Sequence, residues 1–197
     1  MNEKIKKYWA VIVLTLAVSI FFIHLFFPPS VFTTPDFGRS DILHSNIPAK
    51  LILSQNLKSG NLPLWENKIG QGYPVLAEGI AGTFYIQNLI IFTTLPFEFA
   101  IPTNYLVTYL ISAFGVYLLA RKLKAQKGVA VLVSLSYTFC ASLMLHVQHI
   151  NFIQSASLLP IILLAIVNFF EKPNLKKGLL TSFLFSQLFF AGLSSRL

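Results

Sequence analysis

The segment YWAVIVLTLAVSIFFIHLFF, residues 8–27, decides the class of fold. A helix needs roughly 20 residues to cross a hydrocarbon core of about 30 Å, and this segment has that length. The polar and basic stretch NEKIKK, residues 2–7, precedes it, and Pro28 and Pro29 follow it. A cleaved signal peptide is the alternative, but its apolar region has only about 7–15 residues and ends at a small-residue cleavage site. The pattern therefore favours an uncleaved membrane anchor.

The composition of the whole chain suits lipid better than water. Of its 197 residues, 55% are hydrophobic and 11% are charged, against roughly 25% charged in soluble domains. Four more apolar segments reach or approach the length of a membrane span: residues 103–120, 129–145, 152–170 and 179–193. The sequence predicts an all-α integral membrane protein with about five transmembrane helices.

The net charge of +8 comes from basic residues that are clustered rather than spread. Ten of the fifteen form three groups: Lys4, Lys6 and Lys7; Arg121, Lys122, Lys124 and Lys127; and Lys172, Lys176 and Lys177. Each group adjoins an apolar segment, which is typical of loops kept in the cytoplasm. We therefore expect membrane lipids and no nucleic acid as partners, and an N-terminus on the cytoplasmic side.

The chain divides into three parts: residues 1–27, the start and first span; 28–101, an extracytoplasmic loop; and 102–197, a four-helix transmembrane segment. Residues 28–82 hold six of the ten glycines and six of the ten prolines. The chain stops directly after a span, and we expect it to be the front part of a longer protein that is inactive as a fragment.

Two helices are expected inside the loop. Apolar residues recur at roughly helical spacing, with Gly60 where a C-terminal cap belongs, which predicts an amphipathic surface helix bent near Pro48. These apolar residues are Ile42, Ile47, Leu51, Ile52 and Leu57. Residues 84–100 are apolar but interrupted by polar side chains and a proline. A full crossing there would put residues 121–127 outside, so we expect an interfacial or re-entrant helix.

Side chains capable of chemistry concentrate in DFGRSD, residues 36–41, with His44 behind them. If the surface helix starts at Ser40, Asp41 lies in its first turn and shares a face with His44, three residues on. An ionised carboxylate there suits a general base that deprotonates a hydroxyl. The alternative is a solvated loop in which Asp and Arg pair with each other, and spacing alone favours it.

A second polar cluster, His146, Gln148, His149 and Asn151, lies between the third and fourth spans. The two histidines could ligate a metal together with a carboxylate, hydrogen-bond a phosphate or sugar, or simply form a polar turn. The metal is not favoured because spacing defines no third ligand. We expect no cofactor, since nucleotide-phosphate, nucleophile-elbow and metal-binding cysteine motifs are missing from the sequence.

Two aromatic residues, Trp65 and Tyr73, stand among glycines and prolines. Their rings could stack on a sugar or belong to an interfacial aromatic belt, and the belt is the favoured interpretation. Glu66 and Glu78 could each supply a second carboxylate, but their spacing selects neither.

Several strings resemble the first extracytoplasmic loop of the bacterial YfhO-like membrane proteins: SDILHSNIP (40–48), GNLPLWEN (60–67), GQGYP (70–74) and FYIQNL (84–89). The likeness continues through Gly115-Val116-Tyr117 and Gln148-His149. That family has the fold of GT-C type glycosyltransferases, which take sugars from polyprenyl-phosphate carriers. Its members are typically several times longer than this chain.

The resemblance implies a lipid-linked sugar donor and a cell-envelope glycan or lipid acceptor, at the outer surface of a bacterial cytoplasmic membrane. The essential acidic residue of the family falls on Asp41, with Asp36 in reserve, and Arg39 would hold the carrier phosphate. The substrate-binding residues would be His44, Trp65, Tyr73, His146 and His149. Many relatives have a further carboxylate on the second outward loop, where this chain has the two histidines.

A multi-span transporter or lipid flippase is the alternative function. Transport predicts ionisable residues inside the spans, and here His24, near the end of the first span, is nearly the only one. The sequence therefore favours surface chemistry over a transmembrane path.

Overall fold

The computed structural model describes residues 3–33 and 40–192, with side chains from Tyr8 onward. Within these ranges the regular structure is helical apart from two isolated β-bridges. A 3₁₀ turn, Ile23–Leu25, extends the first helix, and a π-helical turn, Ile42–Asn46, precedes the second. In chain order the helices are α1 (Glu3–Phe22), α2 (Ile47–Lys58), α3 (Val75–Glu78), α4 (Ile86–Thr94), α5 (Phe97–Lys122), α6 (Lys127–Thr138), α7 (Ala141–Leu145), α8 (Ile150–Glu171) and α9 (Leu175–Phe190).

Four helices in the described ranges are long and apolar enough to cross a membrane. They are Tyr8–Leu25, Phe97–Lys122, Lys127–Leu145 and Ile150–Glu171, and the third of them consists of α6 and α7 together. The predicted class, a helical membrane protein, is compatible with this finding, and the first four predicted spans each fall on one of these helices. Helix α5 starts six residues before the predicted span because it tolerates Pro102 in its interior.

The fifth predicted span corresponds to α9, which has 16 residues and a length of about 24 Å. It runs antiparallel to α8, because Gly178 packs on Phe169 whereas Gly192, just beyond the helix, meets Asn151. It is shorter than the four helices above, and the predicted end of the span, Leu193, lies outside the described residues.

The long helices form a bundle in which α5 and α8 are parallel. A Cβ on Gly115 of α5 would lie 2.8 Å from Ile161 of α8, so a glycine lets the two helices approach closely. At their far ends Lys122 and Glu171 form a salt bridge. Helix α1 is antiparallel to both, since the ring of Phe22 at its end stacks on Tyr105 near the start of α5.

The helix directions place some loops at one end of the bundle and the others at the opposite end. The basic residues 121–127 and 172–177 lie at one end, where α1 also begins. Residues 146–151 lie at the opposite end, together with the start of α5. The three basic clusters thus belong to one end of the molecule, as the sequence predicted from charge.

Buried amides join α4 to the bundle core. Asn104 of α5 donates to Asn88 of α4 at 2.9 Å, and Gln154 of α8 donates to both asparagines at 2.8 Å. Polar groups away from water must satisfy one another, so Asn88 and its neighbour Gln87, which interrupt an apolar stretch, point inward. Helix α4 has nine residues and is about 14 Å long, too short to cross a membrane.

Helix α2 lies beside α4 and ends as the sequence predicts. Gly60 has a φ of +76°. Its N–H donates to Leu57, and that of Asn61 donates to Asn56, which is the Schellman pattern at a helix C-terminus. The inward face of α2 is less apolar than the spacing indicates, because Lys50 and Ser54 are buried on it.

Candidate functional site

An aspartate–histidine contact lies at the bundle end opposite the basic loops. Nε2 of His149 is 2.9 Å from Oδ2 of Asp41, a residue 108 positions earlier in the chain. Asp41 directly precedes the π-helical turn before α2, and His149 directly precedes α8. The Asp41 side chain is 50% exposed and that of His149 only 15%. A largely buried imidazole therefore holds a carboxylate that a substrate can reach.

Two further contacts support the loop that carries His149. Asn46 donates its side-chain amide to the backbone carbonyls of Asp41 and Gln148, each at 3.4 Å. The hydroxyl of Tyr105, in α5, donates to the carbonyl of Val147 at 3.0 Å. These bonds connect the π-helical turn after Asp41, the loop that carries His149, and helix α5. The aspartate–histidine pair is therefore held in place by the helical bundle.

His146 lies beside the pair, close to His149. Its Nδ1 donates to the carbonyl of Ser142 at 2.8 Å, its ring packs on Phe152 at 4.5 Å, and it lies 5.6 Å from the His149 ring. Throughout residues 3–33 and 40–192, no group of three or more His, Cys, Asp or Glu side chains is close enough to hold a metal ion.

His44 and Tyr73 meet in a separate cleft of about 220 Å³. The structure adds Glu78 to them, a carboxylate that sequence spacing could not select. The phenol of Tyr73 has a raised pKa because of burial and because the Glu78 carboxylate lies beside it. Backbone bonds of 2.9 Å between Tyr73 and Glu66 close the hairpin that carries the tyrosine.

Trp65 lies on the outer surface of that hairpin and does not line the cleft. It is 56% exposed and covers Gly72, where a Cβ would lie 2.4 Å from the indole. The glycine, with a φ of +110°, leaves room for the ring. Of the remaining predicted site residues, Asp36 and Arg39 lie outside the described residues.

Lys50 is a residue that the sequence interpretation missed. It is completely buried, and its Nζ donates to the carbonyl of Ala81 at 2.9 Å and to Oδ1 of Asn151 at 3.4 Å. The ring of Phe92 lies 5.9 Å from the Nζ. Desolvation lowers the pKa of this lysine from 10.5 to about 7. The available signal was a series of polar residues four apart, Asn46, Lys50 and Ser54, on the face of the turn and helix that is buried.

Together, these features define a helical protein with four helices long and apolar enough to span a membrane. It has an aspartate–histidine pair and a small polar cleft at the end of the bundle opposite its basic loops. Comparison of the chain with protein families, with curated proteins and with solved structures finds no match in any of the three.

Proposed function

We propose that the chain is the N-terminal part of a GT-C type glycosyltransferase that takes sugar from a polyprenyl-phosphate carrier. The observation that carries the proposal is the contact between Asp41 and His149. The resemblance to the YfhO-like family put the essential acid at Asp41 and histidines where relatives have a second acidic loop. A 2.9 Å contact between these two elements supports a single site built from both.

The proposed site faces the extracytoplasmic side of a bacterial cytoplasmic membrane. The basic loops would lie in the cytoplasm, in keeping with the usual excess of Lys and Arg there. Helix α9 would complete a fifth crossing, and α4 would be a re-entrant helix shielded by α5 and α8. Its inward-facing Gln87 and Asn88 support that placement, because irregular backbone at membrane depth must be shielded by protein.

In the proposed reaction, Asp41 accepts the proton of an acceptor hydroxyl. The hydroxyl oxygen attacks the anomeric carbon of the donor sugar, and the carrier phosphate leaves with the electron pair of the broken C–O bond. His149 orients the carboxylate through its Nε2, so it is a positioning residue for Asp41. Arg39 would neutralise the carrier phosphate, and Tyr73 and Trp65 would border the sugars.

A transporter or flippase is less well supported. It would need ionisable groups along a path through the spans. Asn88, Asn104 and Gln154, buried in the bundle core, are uncharged and bond to one another. Such a network suits a rigid core. The buried Lys50 lies on α2, outside the proposed spans.

The proposed orientation predicts which loops an impermeant thiol reagent labels from outside. After Cys140 is replaced by serine, Asn61→Cys in the first loop is expected to be labelled in intact cells. Gln126→Cys in the basic loop is expected to be labelled only after permeabilisation. Labelling of position 126 but not 61 from outside would reverse the orientation and put the site on the wrong side for a polyprenyl-phosphate donor.

His149→Ala is expected to reduce turnover by about 10- to 100-fold in the full-length protein, because a hydrogen bond to a charged group is worth about 1.5–3 kcal/mol. His149→Gln should retain more activity, since its amide can still donate to Asp41. Transfer from a labelled polyprenyl-phosphate sugar in proteoliposomes measures both, with and without excess chelator. Activity should persist in chelator. Loss restored by one added divalent ion would make the histidines metal ligands instead.

A further inference from the structure

The cleft that contains His44, Tyr73 and Glu78 is too small for a large ligand. Its volume of about 220 Å³ is below the roughly 300–1,000 Å³ typical of sites for drug-sized molecules. It lies between the π-helical turn, the start of α2, the hairpin and α3. The space suits a single ring or headgroup.

Its polar groups favour a ligand that brings hydroxyl donors. Glu78 offers a carboxylate, which only accepts hydrogen bonds when ionised. One oxygen of this carboxylate, Oε2, already accepts the backbone N–H of Ile80 at 3.1 Å. The phenol of Tyr73 is protonated at neutral pH and lies beside the Glu78 carboxylate, so its oxygen can accept a hydroxyl donor. His44 also lines the cleft.

The walls and the charge of the cleft further restrict the kind of ligand that fits it. The remaining lining is mostly apolar: Pro48, Ala49, Ile52, Ile69, Val75 and Ile80, with Ser45. Among the described residues that line the cleft there is no lysine or arginine, and a phosphate there would meet the Glu78 carboxylate. A ring with hydroxyls on its edge and C–H groups on its faces matches these surfaces, and Tyr73 supplies an aromatic wall.

We propose that this cleft is a binding subsite for one neutral sugar ring, which donates hydroxyls to Glu78 and lays a C–H face against the apolar wall. The N–H of His44 bonds to the carbonyl of Ser40, so the cleft opens within one helical turn of Asp41. Identifying this ring as part of the glycosyl acceptor rests on the proposed function. The binding itself does not.

Saturation-transfer NMR on the full chain tests the subsite. The protein is placed in lipid nanodiscs because the sugar headgroups of glycosidic detergents would compete with the probes. The probes are methyl glycosides of glucose, galactose, mannose and N-acetylglucosamine, with ethanolamine and inorganic phosphate as charged comparisons. At least one glycoside should bind, and Glu78→Gln should weaken it by about 10-fold or more, as expected for losing a hydrogen bond to a charged group. Tyr73→Phe should weaken it less.

Glu66→Gln is the matched control, because Glu66 is on the same hairpin, accepts the N–H of Lys68 at 2.9 Å and does not line the cleft. Glycoside binding should be unchanged in this variant. Equal effects of Glu66→Gln and Glu78→Gln, no glycoside binding to wild type, or binding of only ethanolamine or phosphate would overturn the subsite. Circular dichroism and melting confirm that each variant is folded.

The two proposals fail in different ways. If glycosides bind through Glu78 but the full-length protein transfers no sugar, the subsite stands and the transferase proposal fails. If transfer depends on Asp41 but Glu78→Gln changes neither glycoside binding nor the KM for acceptor, the subsite fails and the transferase proposal stands.

Discussion

Replacement of Asp41 by asparagine in the full-length protein is expected to lower glycosyl transfer by about 10²–10⁴-fold, the usual contribution of a general base. Asparagine has nearly the same shape, and its side chain can still bond to His149 across the 2.9 Å contact. What it loses is the capacity to accept the acceptor's proton. Transfer of a labelled sugar from a polyprenyl-phosphate donor in proteoliposomes measures the loss.

The controls separate catalysis from insertion and from the neighbouring acid. Membrane insertion and melting of Asp41→Asn should match wild type, because Asp41 is half exposed and makes no helix-cap bond with its side chain. Asp36→Asn should have a milder effect, since Asp36 precedes the helical turn that begins after Asp41. An inactive Asp36→Asn beside an active Asp41→Asn would move the catalytic role to Asp36 while leaving the proposed class of enzyme intact.

The stability of the protein is expected to rise between about pH 7 and pH 10.5 because of Lys50. In the folded state this lysine has a pKa near 7, against an ordinary value of 10.5, so in this window the unfolded chain binds the extra proton. Stability increases with pH wherever the unfolded state binds more protons. Across this window the free energy of unfolding rises by about 5 kcal/mol at most, since one pKa unit corresponds to about 1.36 kcal/mol. Below about pH 7 both states are protonated and the burial penalty is fully present.

Lys50→Met is expected to remove this pH dependence. The variant should be more stable than wild type at pH 6. The gain is partly offset, because removal of the ammonium leaves the acceptors on Ala81 and Asn151 without their donor, which costs about 1–3 kcal/mol for a buried unsatisfied group. Lys58→Met is the matched control, because Lys58 is exposed on the same helix. Unfolding in mixed micelles with increasing dodecyl sulfate, followed by tryptophan fluorescence, measures all three proteins. A pH-independent wild type, or a rise that survives Lys50→Met, would contradict the buried ammonium.

Local patterns determined the features that depend on local geometry. A helix rises 1.5 Å per residue and a hydrocarbon core is about 30 Å thick, so the lengths of apolar segments predict the four long helices. The end of α2 could also be predicted from the sequence, because Gly60 takes a positive φ that other residues rarely adopt. Charge clustering predicted which loops share one end of the bundle.

The contacts of the candidate site were decided by the tertiary structure. A π-helical turn, Ile42–Asn46, lies between Asp41 and α2, and its wider i→i+5 bonding gives side chains other directions than a regular α-helix does. Asp41 meets His149, whereas His44 enters the cleft with Tyr73 and Glu78. Nothing local marks residues 41 and 149 as partners.

The buried polar groups also depend on tertiary contacts rather than on local sequence. The sequence by itself determined which segments are long and apolar enough to cross a membrane, because hydrophobicity and length are properties of single segments. Only the tertiary structure decided that Lys50 and Asn88 point inward, because a polar side chain can be buried where another segment supplies its hydrogen-bond partner. For Lys50 the partners are Ala81 and Asn151, which are 31 and 101 residues away in the chain, so the reason for its burial lies in packing.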